Sequence, residues 1–221
     1  MKKRFITPQP TNKPSHLSKM SAKPWADTPF TLLPIPGQPN APTSSNPGIL
    51  SVAIEMANVH NTLLRGLNSI YLQSPHITQP ADIADLLFYT KAWADTVHHH
   101  HALEEAILFP RIRAIAKEAG GLMDANVDQH HAFEGKMGEM VKFVEEVQEG
   151  KQEFDSKMLI ALIDSFAPVL TQHLHDEIGT LLALENCDGE KVKQAMADTA
   201  QEGLKTADSV CYRFSRDARF G

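Results

Sequence analysis

The chain has 221 residues, 42% hydrophobic and 22% charged, enough for one sizeable core and ordinary for a soluble globular protein. Its net charge of −6 argues against a broad nucleic-acid surface, and no apolar run approaches the roughly 18 residues of a membrane span. Two cysteines, Cys187 and Cys211, exclude a disulfide scaffold and point to a reducing compartment, the cytoplasm by default.

Residues 1–47 hold ten of the fourteen prolines and a local charge of +5, against −11 for the rest of the chain. Such a stretch forms neither a regular helix nor a packed core, which predicts an extended or disordered arm. Trp25, Phe30, Leu32 and Leu33 are its apolar groups for docking on the body. Met1-Lys-Lys-Arg is basic, but no apolar segment follows, so it does not read as a secretory signal.

After Pro47 the texture is helical. Four long helices are predicted over 48–73, 80–118, 121–149 and 156–185, with a weaker fifth over 188–208. Ser74-Pro75 ends the first, Gly120-Gly121 separates the second from the third, and Glu149-Gly150 closes the third. Asp155 or Ser156 caps the fourth. No alternating strand pattern competes. Short links between long amphipathic helices predict an all-α, antiparallel up-down four-helix bundle over 48–186. A C-terminal helix and tail follow over 187–221, with 191–207 read as an exposed amphipathic helix. Pro110 and Pro168 fall inside the proposed helices, where each either kinks its helix or marks an end.

Eleven histidines are the unusual feature of the composition. On the first helix His60 lies in a stripe with Met56, Ala57, Leu63, Leu64 and Leu67; on the second, His101 lies with Trp93, Val97, Leu108 and Phe109. His130 lies with Met123, Val127, Phe133 and Met137, and His173 with Phe166, Leu170 and Leu181. Each long helix thus aims one histidine at the core. His101 and His173 each have a glutamate one turn on, Glu105 and Glu177, on the same face. An unpaired ionised Glu in an apolar core costs several kcal/mol. A metal cluster removes that difficulty, and histidine with carboxylate and no thiolate suits iron, manganese or zinc. A lone inward histidine is more often a hydrogen-bonded core residue; four of them with two paired glutamates are hard to explain as packing. In the run His98–His101 a helix points each ring differently, and His100 with Glu104 is the competing register, displaced by about 100°.

These residues resemble the hemerythrin-like, or HHE cation-binding, family. The matching pieces are His60-Asn61-Thr62-Leu63-Leu64-Arg65, His101-Ala102-Leu103-Glu104-Glu105 through Pro110, Gln129-His130-His131-Ala132-Phe133, and His173-Leu174-His175-Asp176-Glu177-Ile178. The resemblance implies a hemerythrin-like bundle around a non-haem di-iron centre, bridged by two carboxylates and an oxo or hydroxo group. Carried over by position, it implies His60, His101, Glu105, His130, His173 and Glu177 as ligands, with Glu105 and Glu177 bridging. The oxygen-carrying members have a fifth histidine one turn before the position of His130, and Asn126 stands there in this chain. Glu134, one turn after His130, is a candidate to compensate. The missing nitrogen ligand argues against simple reversible oxygen carriage and favours an open, exchangeable position suited to reaction with oxygen or peroxide, or to sensing.

Three functions follow from that reading. The first is a di-iron protein that binds or responds to dioxygen or a small redox ligand. The second is an oxidoreductase acting on peroxide, nitric oxide or ferrous iron, with Tyr71 or an extra histidine as proton donor. The third is a structural module, binding zinc or no metal, that acts through its surface or its basic arm.

Overall fold

A computed structural model describes residues 25–117 and 120–217 of the chain. Residues 1–24 of the expected arm, with His16, lie outside the described residues, as do the side chains of Trp25 and Cys211.

Among the described residues six α-helices carry the fold: α1 (Pro47–Gln73), α2 (Pro80–Leu103), α3 (Phe109–Ile115), α4 (Gly120–Gln148), α5 (Ser156–Leu182) and α6 (Gly189–Asp217). There is no strand among the described residues. Local chemistry sets most boundaries. The Asn46 side chain accepts from the Gly48 and Ile49 amides and Pro47 opens the first turn, so α1 starts there. Asp155, rather than Ser156, caps α5 through the Lys157 amide. Gly150 adopts φ 71° and closes α4, with the Lys151 amide bonded back to the Glu146 carbonyl. Pro168 sits on the exposed side of an otherwise unbroken α5.

The predicted second helix is the one that departs from regularity. A π-helical turn over Glu104–Leu108 joins α2 to α3, and its hydrogen bond runs from the Phe109 amide to the Glu104 carbonyl. Pro110, which has no amide hydrogen to give, follows directly.

Helices α1, α2, α4 and α5 form a closed ring of neighbours, α1 touching α2 and α5, and α4 touching the same two. Phe109, Phe133, Phe166, Leu64, Leu67 and Met140 fill the interior. Trp93 lies in the α1–α2 seam, where its Nε1 donates to the Leu63 carbonyl at 2.9 Å and its ring occupies the space a side chain on Gly66 would need. Burying large aromatics and aliphatics of this kind contributes roughly 1.5–3 kcal/mol each.

Helix α6 is not the exposed helix expected over 191–207. It packs on α1 and α2, and Val192, Ala195, Met196 and Thr199 are buried. At two points the approach is close enough to require glycine: a Cβ at Gly203 would crowd Leu103, and one at Gly189 would meet Asn46. Residues 26–36 are likewise packed on the body. Asn68, fully buried in α1, accepts from the Phe30 amide and donates to the Ala26 and Phe30 carbonyls. Two turns earlier Asn61 exchanges both bonds with Leu33, at 2.7 and 3.0 Å. Two asparagines seven residues apart lie on one helix face and satisfy a non-helical backbone that could not otherwise be buried.

Candidate metal centre

Five histidines and two glutamates meet in the middle of the bundle. One group comprises His60 of α1, His100 of α2, Glu104 of the π turn and Glu177 of α5; the other comprises His101 of α2, His130 of α4 and His173 of α5. In each group the donor atoms lie within 4.8 Å of one another. His60, His130 and Glu177 are fully buried, and His101, His173 and Glu104 nearly so.

The two carboxylates sit between the groups. Glu104 Oε1 is 3.0 Å from His100 Nε2, and its Oε2 is 3.6 Å from His130 Nε2. Glu177 Oε2 is 3.3 Å from His60 Nε2 and 3.9 Å from His173 Nε2.

The outer nitrogens of three rings are tied down. His60 Nδ1 donates to the Leu174 carbonyl at 2.8 Å, His173 Nδ1 to Gln129 Oε1 at 3.1 Å, and His130 Nδ1 to Glu105 Oε1 at 2.7 Å. A carbonyl oxygen only accepts, so each neutral ring carries its proton on Nδ1 and directs a lone pair inward from Nε2. His130 Nε2 and His173 Nε2 then face each other at 3.1 Å with two lone pairs and no proton between them. His101 Nε2 and both oxygens of Glu104 and of Glu177 are buried without hydrogen-bond partners. Buried polar atoms are rarely left so. Lone pairs and carboxylate oxygens converging on shared points are the donor set of a cation, and nitrogen and oxygen donors without sulfur suit a transition metal.

Electrostatics of the metal-free protein agree. Burial, reinforced by His60, pushes His100 down to about 3. Burial and the neighbouring His130 push His173 to about 2, and burial with His100 holds His101 well below its ordinary value. Burial raises the Glu104 carboxyl well above the usual range, and the Glu177 charge adds to it. Burial also works to raise Glu177, but the His60 imidazole, its Nε2 3.3 Å away, outweighs it, and the net direction is down. Burial therefore keeps His100, His101 and His173 neutral and available as ligands across the physiological range.

Of the residues singled out in the sequence, the structure brings His60, His101, His130, His173 and Glu177 together. It does not bring Glu105 with them. That residue lies at the rim, 33% exposed, as the acceptor for His130. The expectation rested on an uninterrupted helix, in which Glu105 follows His101 by one turn. The wider π turn instead carries Glu105 outward while Glu104 stays inside.

The alternative pair, His100 and Glu104, is therefore in the centre as well, beside His101. Asn126 is buried near α5, with its Oδ1 3.5 Å from Thr180 Oγ1. Glu134 is half-buried on α4 and falls in neither group. Tyr71 lies eleven residues along α1 from His60, roughly 16 Å of helix, and bonds Asp164, which with burial raises its pKa. It is thus remote from the centre it was suggested to serve.

The remaining histidines do other things. His99 bonds Thr206 of α6 at 2.7 Å and His175 donates to the Thr31 carbonyl at 3.0 Å, while His76, His98 and His131 are exposed. Gln129 and the Leu174 carbonyl, which orient two of the rings, were not singled out. The motif held Gln129, but only its side-chain path across to α5 reveals the role.

Comparison with known proteins adds two findings. The family model described as the hemerythrin HHE cation-binding domain matches residues 53–184. The "Dimeric xanthone biosynthesis cluster protein R11" of Cryptosporiopsis sp. (strain 8999) is 39% identical over 180 residues, covering 81% of this chain and 67% of that protein. No solved structure matches the chain.

Proposed function

Because the chain belongs to the hemerythrin HHE cation-binding domain family, we propose that its five histidines and two glutamates hold a pair of metal ions. The working metal is iron, and the centre binds dioxygen or a comparable small redox ligand. One observation carries the proposal: inward lone pairs and partnerless carboxylate oxygens are gathered at two adjoining points in the buried core. His60 and His100 would hold one ion and His101, His130 and His173 the other. Glu104 and Glu177, which approach histidines of both groups, would lie between them. Manganese and zinc suit the same donors.

A bound iron pair supplies reversible electron transfer and an exchangeable coordination position. The protein does the rest. Two carboxylates offset the charge of the ions, and Leu174, Gln129 and Glu105 keep three rings in the metal-binding tautomer. Phe109 and Phe133, both fully buried, lie against His130 and His173, with ring centroids 5.9 Å apart in each pair. They exclude water from the three-histidine side. No helix among the described residues is long and apolar enough to cross a membrane.

The test is elemental analysis of untagged full-length protein expressed with added iron, with absorption spectra recorded under nitrogen and in air. About two irons per chain and a spectrum that responds to oxygen are expected on this stoichiometry. Zinc alone, or no stoichiometric metal, overturns it.

In a second reading the same centre is an oxidoreductase acting on peroxide, nitric oxide or ferrous iron; the similar protein is named for a biosynthesis cluster, which suits an enzyme. Turnover of peroxide or nitric oxide by iron-loaded protein, absent from His101→Ala, would support the enzymatic reading. No turnover above free iron would remove it.

A further inference from the structure

One side of the centre faces a cavity that the ring of four helices does not make by itself. A space of about 110 Å³ lies between α1, the π turn and α6, with His100 and Glu104 on its floor. The family match ends at residue 184, so α6, which supplies the outer wall through Met196, Thr199 and Ala200, lies beyond it. Met56, Leu103 and Leu108 complete the apolar lining. The Thr199 hydroxyl is spent on the Ala195 carbonyl at 2.8 Å and offers no donor to the space. The unpartnered oxygens of Glu104 are its polar end. Val59, Glu55 and Ala200 are exposed, which puts the mouth between α1 and α6.

Size and charge restrict what can enter. An enclosed apolar cavity of about 150 Å³ takes a benzene ring, so this smaller space holds a diatomic molecule with ease. Glu55 stands at the mouth and the walls are mostly apolar, so a charged guest would lose hydration with little to replace it. The α6 wall is also anchored: Arg111 pairs with Asp198, His99 bonds Thr206, and Gly203 seats on Leu103.

We propose that this cavity is an entry chamber, built by α6, which admits one small uncharged apolar molecule to the His100/Glu104 side of the centre, and that α6 side chains set the rate of entry. The guest class is the neutral diatomic, dioxygen or nitric oxide. The proposal rests on the metal-centre reading for its purpose, but the chamber itself can be read without metal.

Xenon, a neutral apolar probe, is introduced by pressurising crystals of the full chain, and nitric oxide binding to ferrous protein is followed by stopped-flow absorption. Xenon is expected between Met56, Leu103 and Met196. Ala200→Trp, at an exposed position, should close the mouth, remove the xenon and slow nitric oxide binding by about tenfold, as expected of a gate, with metal content unchanged. Met196→Ala should widen the wall and quicken it. No xenon in the wild-type chamber, or unchanged nitric oxide rates in Ala200→Trp, would overturn the proposal. If the chain carried no iron, the metal-centre reading would fail, while xenon occupancy would still decide whether the chamber accepts an uncharged guest.

Discussion

His100 and His101, neighbours in the chain, serve opposite halves of one centre. The Nε2 of His100 lies 3.2 Å from that of His60, whereas the ring of His101 lies with its centroid 4.2 Å from that of His130. Successive helical residues diverge by about 100°, so both rings can face inward only where the centre is broad and straddles their helix. The π turn that follows keeps Glu104 buried beneath His100 and brings both Leu108 and Phe109 to the core. One helix thereby contributes two histidines and a carboxylate. His101 supplies the third nitrogen of a group in which α4 gives only His130.

Glu104 and Glu105 should therefore separate cleanly on substitution. Glu104→Gln removes charge from the space between the two groups, and metal content after dialysis should fall by half or more. Glu105→Gln leaves a neutral acceptor for His130 Nδ1. It should retain two metals per chain with about 10-fold to 100-fold weaker affinity, the usual effect of disturbing an outer partner. Metal titration of both variants decides it. Equal loss in the two would mean that Glu105 is itself a ligand.

A nitrogen supplied from α2 in place of α4 makes a second expectation. His101→Ala should release the metal of the three-histidine group and leave one per chain. Asn126 is buried one turn before His130. The double variant His101→Ala/Asn126→His returns an imidazole to the face that carries His130, so partial recovery of the second metal is expected by elemental analysis. Recovery would show that the two positions are exchangeable sources of one ligand.

Much of this was legible in the sequence, and the parts that were not have physical causes. The helix boundaries followed from Asn46-Pro47, Gly150 and Asp155, because caps and breakers act locally. The inward histidines followed from apolar periodicity. Glu105 was misplaced because a π turn leaves no composition signal, and one residue of register exchanges it with Glu104. The amphipathic character of α6 was read, but its packing was missed because an apolar stripe of Val192, Ala195 and Met196 does not say which surface covers it. The roles of Asn61 and Asn68 were not read, because only the folded chain brings the backbone of residues 26–33 against them.

Removing the metal should make the protein acid-sensitive. In the metal-free fold His100 is lowered to about 3 and His173 to about 2, from 6.5 in the unfolded chain. Below pH 6.5 the unfolded chain takes up protons that the folded one refuses, so stability is complete above that pH and falls on acidification toward pH 3, by up to about 1.4 kcal/mol per pH unit for each ring. Glu104, whose carboxyl is raised, acts the opposite way above its ordinary 4.5, but it is one group against three, since His101 is lowered too. Urea unfolding of chelator-treated protein between pH 7 and 4.5 should show the decline. A midpoint independent of pH in that window would contradict it.

The docked segment should stabilise the bundle without touching the centre. Asn68 makes three hydrogen bonds to residues 26–30 from a fully buried position, and Phe30 packs edge-on against Tyr71 at 5.3 Å. Asn68→Ala leaves the Phe30 amide and two carbonyls without partners. Each buried group so stranded costs about 1–3 kcal/mol, offset where the freed segment lifts away and meets water, so a net loss of about 2–4 kcal/mol is expected in urea unfolding. Eight residues and two turns from His60, the substitution should leave metal stoichiometry unchanged. The neighbouring Asn61→Ala removes the Leu33 pair beside His60 and should lose stability together with some metal affinity, because it loosens the turn that aims that ring. A stability loss confined to Asn61→Ala would mean that the segment is held at Leu33 alone.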